Sequence, residues 1–238
     1  MRWKPYLLNL RDCHKVIVGE GESDRHFFTA FCRANNINGF DYAFTGMHSP
    51  PPYQPSGFSE FVRYLPVLEK LADFSSLTDL VLVCDAGEND NQKLAQLRTQ
   101  IQRANHAIGR QVFSENLEAN IVAAQGTPRV HVLLIPNNRR GGLETICVDV
   151  ARDHQNSRNS RGSMIEGWVN AFANNACVGW TTEKRDKLRL QAFLSAAWDS
   201  KPDIHFSQLF DITRDQLVPL TGPSFDDIRR FLRAVESL

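Results

Sequence analysis

Two spacings of apolar residues alternate along the first two-thirds of the chain. Short apolar runs come first. His14–Val18, Asp79–Cys84 and Val130–Ile135 read as strands, and Phe40–Phe44 as a shorter one. Between them apolar residues recur every three to four positions. This predicts helices over Ser23–Asn35, with Ser23 as N-cap, over Ser59–Phe74, Asp90–Ala107 and Gly142–Asp153. Phe61, Tyr64, Leu65, Leu68, Leu71 and Ala72 share a face of the second, and Leu94, Leu97, Ile101 and Ala104 a face of the third. Strands that alternate with helices require crossovers, so the expected fold is α/β, a mainly parallel central sheet flanked by helices.

After Asp153 the pattern changes. Residues 152–161 are almost all polar and read as a mobile loop. Ser163 to Ala197 reads as two helices. Pro219 and Pro223 bracket a turn before an amphipathic helix carrying Phe225, Ile228, Phe231, Leu232 and Val235. The expected organisation is an α/β core over residues 1–160 and a helical C-terminal part over 161–238, packed on the core and offering a surface for a protein partner. Met47 to Gly57, with Pro50, Pro51 and Pro52, reads as a loop.

Composition narrows the functional classes only slightly. Lysine and arginine number 27 in 238 residues, as do aspartate and glutamate, so net charge argues neither for nor against a nucleic-acid partner. No apolar run approaches the roughly 20 residues of a membrane span. The N-terminus lacks the pattern of a secretory signal. The five cysteines are scattered without a Cys-x-x-Cys pair, which suggests free thiols in a reducing cytoplasm.

The chemistry collects where strands end. The first apolar run leads into Gly19-Glu20-Gly21-Glu22-Ser23-Asp24, and the second into Asp85-Ala86-Gly87-Glu88-Asn89-Asp90. In a parallel sheet, strand C-termini share one edge, and ligands bind in the crevice outside it. Carboxylates gathered there repel one another unless protonated, hydrogen-bonded or bridged by a cation. A divalent metal site is the sharpest expectation from Glu20, Asp24, Asp85, Glu88, Asp90 and Glu144. Most have a plainer alternative. Glu20 would be salt-bridged to a local base. Glu22, Asp24 and Glu144 would be first-turn helix acids. Asp85 would form a turn, and Asp90 would cap a helix. In the third turn, Asn137-Asn138-Arg139-Arg140-Gly141-Gly142, Arg139 and Arg140 would grip phosphate or pair with the acidic edge.

Other chemistries lack their motifs. Gly19-x-Gly21-x-x-Asp24 departs from the dinucleotide fingerprint at its third glycine. No Gly-Lys-Ser phosphate loop, zinc-protease His-Glu-x-x-His or Gly-x-Ser-x-Gly elbow occurs. His26 reads as a packing or surface residue.

Val18-Gly19-Glu20-Gly21-Glu22-Ser23-Asp24, followed by Phe27-Phe28, resembles the opening motif of Toprim domains, the fold shared by topoisomerases, bacterial primases, recombination-repair proteins and overcoming-lysogenization-defect nucleases. Asp85 is similar to the first aspartate of their second motif, Asp-x-Asp, whose second position is here Gly87. Ile135-Pro136-Asn137-Asn138 with Gly142-Leu143-Glu144, and the closing helix, resemble small stand-alone Toprim-like proteins of uncharacterised function. The resemblance implies acid–base or metal-linked work for Glu20 and Mg²⁺ or Mn²⁺ binding for Asp85, with Glu88, Asp90 or Asp24 replacing the missing aspartate. No active-site tyrosine can be placed. The resulting expectation is a Mg²⁺- or Mn²⁺-dependent nuclease. The alternatives are a non-catalytic module binding metal, nucleotide or protein, and an enzyme acting on small phosphate esters.

Overall fold

The computed structural model describes residues 8, 10–47, 55–159, 161–197 and 218–238. Strands β1 (Lys15–Gly19), β2 (Phe40–Phe44), β3 (Asp79–Asp85) and β4 (Arg129–Ile135) form a four-stranded parallel sheet in the order β2-β1-β3-β4. Helices flank it: α1 (Glu22–Ala34), α2 (Phe61–Glu69), α3 (Asp90–Ile108), α4 (Leu143–Asn159), α5 (Gly162–Ala176), α6 (Thr182–Ala197) and α7 (Asp226–Glu236). The α/β class and the parallel sheet are therefore as the periodicity predicts. Residues 48–54 of the Pro-rich segment lie outside the described residues.

Strand alternation sorts the core into two layers. Ile17, Val81, Val83, Leu133 and Ile135 face one side, against Phe27, Phe28 and Phe31 of α1, Ile146 and Cys147 of α4, Phe193 of α6 and Leu232 of α7. Val16, Val18, Leu80, Leu82, Val132 and Leu134 face the other, against Phe61 and Leu65 of α2 and Leu97 and Ile101 of α3. Both faces of β3 are thereby covered, which is why its run is unbroken and apolar. Helices α6 and α7 bury their apolar residues in the same layer as the sheet. Lys15 of β1 donates to the Val235 and Glu236 carbonyls at 2.9 and 2.8 Å, a cation placed on the C-terminal end of α7.

Three local expectations are corrected. The predicted cap Ser23 lies inside α1, whose N-cap is Gly21. The helix expected over Ser59–Phe74 stops at Glu69, and Asp73 (φ 63°) then turns the chain out of helical geometry. The polar stretch expected as a loop extends α4 to Asn159. Its charges find partners: Arg152 bonds Asp149, Asp153 and, across to α5, Glu166. Hydropathy alone misses such a helix, because ion pairs and a buried Gln155 replace apolar packing.

At the N-terminal edge of the sheet, Asp79 has no exposed surface. It accepts from Arg129 Nε and Nη2 at 2.7 and 2.9 Å and from Thr78 Oγ1 at 2.8 Å. His131 Nδ1 accepts the Ala123 N–H, so Nε2 carries the ring proton and donates to Asp79 Oδ1 at 2.8 Å. Burial alone would raise the Asp79 carboxyl, but the bonds from Arg129, His131 and Thr78 outweigh it and hold the group below the usual carboxylate range. Burial keeps His131 below its ordinary value despite Asp79.

This network should lock β3 to β4. Asp79→Ala leaves the partly exposed Arg129 guanidinium and the buried His131 N–H without their acceptor and should cost about 1–3 kcal/mol, read as a lower urea midpoint at unchanged slope. His131, being depressed in the folded state, stabilises fully above its unfolded value near 6.5. Below about pH 6.5 that contribution should drain away, since the unfolded chain takes up the proton first. The difference in midpoint between wild type and His131→Gln should therefore shrink between pH 7.5 and 5; an unchanged difference would contradict the buried neutral imidazole.

Candidate functional site

The strand order reverses direction between β1 and β3: β2 lies beyond β1 on one side, β4 beyond β3 on the other. Crevices open outside the C-termini of strands at such a point. Here it is a cleft of about 770 Å³ lined by Glu20 after β1, Asp24 at the start of α1, Asp85 ending β3 and Glu144 in the first turn of α4. Four of the six carboxylates singled out as metal-ligand candidates thus share one cavity, although they are spread over 125 positions of sequence.

Each is held in place by its surroundings. Glu20 Oε1 accepts the Asp85 N–H at 3.1 Å and lies 3.2 Å from Lys93 Nζ. Asp85 Oδ1 accepts the Leu143 N–H at 3.0 Å, at the positive end of α4. That contact requires Gly142: a Cβ there would sit 2.6 Å from the Asp85 carboxyl. Asp24 Oδ2 accepts the Gly21 N–H at 2.8 Å. Glu144 faces Lys187 Nζ at 3.9 Å. Behind Glu20, Thr45 Oγ1 donates to the Glu20 carbonyl and receives the Gly57 N–H, tying the loop before α2 to the first acidic turn.

The remaining candidates lie elsewhere. Glu88 accepts the Thr182 N–H at 2.7 Å and so caps the N-terminus of α6; Thr182 holds its carboxyl below the usual range. Asp90 is a first-turn residue of α3, capped by Asn89 through the Gln92 N–H, and does not line the cleft. Gly87, at the position of the second motif aspartate, adopts φ 66° and exchanges two backbone hydrogen bonds with Gly141. A side chain is disfavoured there by its backbone. Arg139 pairs with Asp149 at 2.6 Å and lines a separate groove of about 360 Å³ beside α7. Arg140 lies 3.5 Å from Glu88, largely in solvent. Glu22 and His26 pair on the outer face of α1.

Two cationic residues of the cleft do not stand out in the strand-end motifs. Lys93, in α3, reaches Glu20 with Nζ 3.8 Å from the Phe58 ring centroid. Lys187, Leu190 and Gln191 of α6 form another wall. Their signal in the sequence is helical spacing: Lys187, Leu190, Gln191 and Leu194 fall at i, i+3, i+4 and i+7.

Four carboxylates against two lysines leave the cleft net negative. Hard oxygen donors of this kind suit Mg²⁺ or Mn²⁺. Among the described residues, no three His, Cys, Asp or Glu side chains are grouped tightly enough to hold an ion together. Lysines and backbone N–H groups instead stand at the carboxylates. Burial first, then Glu20 and Glu144, push the Asp24 carboxyl up to about 7, against the pull of the Gly21 N–H and Lys187.

The family model described as "Protein of unknown function (DUF3226)" matches residues 14–236, and the chain belongs to that family. No curated protein and no solved structure matches it. Among the described residues, no helix is long and apolar enough to cross a membrane. All five cysteines are free thiols.

Because the folded state raises Asp24, its contribution is complete below about pH 4 and lost as pH rises toward 7. Asp24→Asn keeps an acceptor for the Gly21 N–H and removes the charge. Its melting temperature should match wild type near pH 4 and exceed it at pH 8. One kcal/mol corresponds to about 2–4 °C for a chain of this size, so a rise of at least that much is expected. Equal melting curves at pH 8 would mean that Asp24 is ionised without penalty.

Proposed function

We propose that this member of the family is a Mg²⁺- or Mn²⁺-dependent phosphodiesterase acting on nucleic acid, with its reaction centre in the strand-end cleft. The observation that carries the reading is the convergence of Glu20, Asp24, Asp85 and Glu144 with Lys93 and Lys187 in one cavity of about 770 Å³. The resemblance of the Glu20 turn and of Asp85 to the two Toprim motifs supports it. Such a cleft by itself repels a phosphodiester and attracts a divalent cation, so cation and substrate would enter together.

Asp85 would be the principal ligand of the ion, with bound water rather than a cluster of carboxylates completing its shell. The bound ion would polarise the phosphate and lower the pKa of water. Lys93 and Lys187 would pair with non-bridging phosphate oxygens, each exchanging a carboxylate for the substrate. Glu20, already fixed by the Asp85 N–H, would accept the proton of the attacking water as its oxygen bonds to phosphorus and the leaving oxygen departs. The α4 N-terminus orients the Asp85 carboxylate through the Leu143 N–H.

A second reading is a module that binds metal or nucleotide without turnover. Gly87 favours it, because the position where the resembled motif carries a second aspartate holds a backbone bridge instead.

Purified protein should cleave single-stranded or duplex DNA or RNA when Mg²⁺ or Mn²⁺ is added. Glu20→Gln and Asp85→Asn should each reduce the rate at least about a hundredfold, with wild-type far-ultraviolet circular dichroism. Should wild type leave all four nucleic acids intact while calorimetry still detects metal uptake, the non-catalytic module replaces the enzyme.

A further inference from the structure

We propose that the outer face of α5 is the contact surface of a homodimer, packed against the same face of a second copy of this chain. The proposal is independent of the phosphodiesterase reading, since no residue of α5 lines the strand-end cleft. The two sides of α5 differ. Val169 and Ala173 are buried, on a helix that packs against α4 and α6, and Glu166 pairs with Arg152 of α4 at 3.2 Å. On the outer face Met164, Trp168 and Phe172 fall at i, i+4 and i+8 and stay 67, 64 and 49 % exposed. The rings of Trp168 and Phe172 stack with centroids 6.4 Å apart. Val178 and Trp180, also exposed, follow in the turn before α6. Of the eight large apolar side chains exposed among the described residues, five lie within positions 162–180. Apolar surface concentrated in this way marks an interaction site, whereas scattered residues would not.

Charge, shape and area identify the occupant as a second copy. Although 23 % of the chain is charged, positions 162–180 hold a single charged residue, Glu166, and it is taken by Arg152. A two-fold axis sets a patch against itself, so a charge on the patch would meet its like; this patch has none to meet. A membrane surface would instead call for lysines and arginines on the helix, and positions 162–180 have neither. Beside the ridge Met164, Trp168, Phe172 runs a second exposed row, Ser163, Gly167, Ala171 and Asn175, low at its centre and polar at its ends. Both rows follow the four-residue spacing whose ridges and grooves interdigitate in the commonest helix pairing. One copy therefore carries both halves of the fit. Gly167 is the independent sign of close approach. A glycine inside a helix costs about 1 kcal/mol against alanine, yet a Cβ at Gly167 would meet nothing within 4 Å among the described residues. The fold of one chain does not need this glycine, and a helix lying against it does. With about 150–250 Å² for each aromatic side chain, the exposed parts of the five apolar residues amount to roughly 500 Å² per copy. Two copies would bury on the order of 1,000 Å², the lower bound of a specific interface.

Analytical ultracentrifugation of the full chain between about 1 and 100 µM tests the proposal. Wild type should pass from one to two chains per particle with a dissociation constant in the micromolar range, and its melting temperature should rise with protein concentration. Trp168→Glu, at an exposed helical position, should raise the dissociation constant at least about a hundredfold with wild-type circular dichroism, because it removes the central ring and sets two like charges together. Gly167→Ala separates an interface from a role in folding. At submicromolar concentration, where single chains prevail, it should raise the melting temperature, since its methyl group meets open space. In the centrifuge it should weaken the dimer at least about fivefold, since the same methyl group crowds the partner. A wild type that sediments as single chains at about 100 µM overturns the proposal, as does a dimer left unchanged by Trp168→Glu. Single chains that bind phosphatidylcholine vesicles through Trp168 would assign the face to a membrane surface and overturn it equally.

Discussion

Like-charge repulsion at the strand ends is the constraint around which this fold is arranged. A parallel sheet delivers the C-termini of β1, β3 and β4 to one edge, and the sequence places an acid at the ends of β1 and β3 and another in the first turn of the helix that follows β4. Left alone, four carboxylates in one cavity would oppose folding. The structure answers them by three devices. A lysine meets Glu20 and another meets Glu144; the α4 N-terminus meets Asp85; proton uptake relieves Asp24. Acids retained at such a cost in one cleft are better explained by a ligand than by stability, because the hydrophobic layers on either face do not need them.

The C-terminal helices matter for the same reason. Helix α6 supplies one wall of the cleft, and its first turn is capped by Glu88 from the second acidic turn. The acid that looks like a replacement metal ligand in the sequence therefore acts one step removed, by fixing the helix that brings in Lys187. Arg140 leans on the same carboxylate. Core and C-terminal part meet at the place where the chemistry would occur, so the helices after residue 161 complete the site as well as covering the sheet.

Much of this was legible in the chain, and the failures have a common cause. Apolar runs reveal β1, β3 and β4 because strands covered on both faces must be apolar throughout. The edge location of Glu20 and Asp85 follows from parallel topology alone. What periodicity does not reveal is pairing between distant polar residues. The Arg152 network turns an apparent loop into helix, Glu88 finds an unexpected partner in Thr182, and Arg139 turns to Asp149. Lys93 and Lys187 look like ordinary solvated helix charges until the tertiary fold brings them over the acids. Gly87 is a departure from the resembled motif in sequence and a backbone bridge in the fold.

The two ends of the sheet treat buried charge in opposite ways, and the contrast separates support from function. At the N-terminal edge, Asp79 is enclosed and answered by Arg129, His131 and Thr78 in a closed network. At the C-terminal edge, carboxylates outnumber lysines and line open volume. A saturated network fixes strand register but has nothing left to exchange with a ligand. An undersaturated one, held by partners that phosphate or a cation can replace, gains from binding. The same residue types therefore carry a structural role at one edge and the candidate chemistry at the other, and the difference lies in the balance of charge and the space beside it.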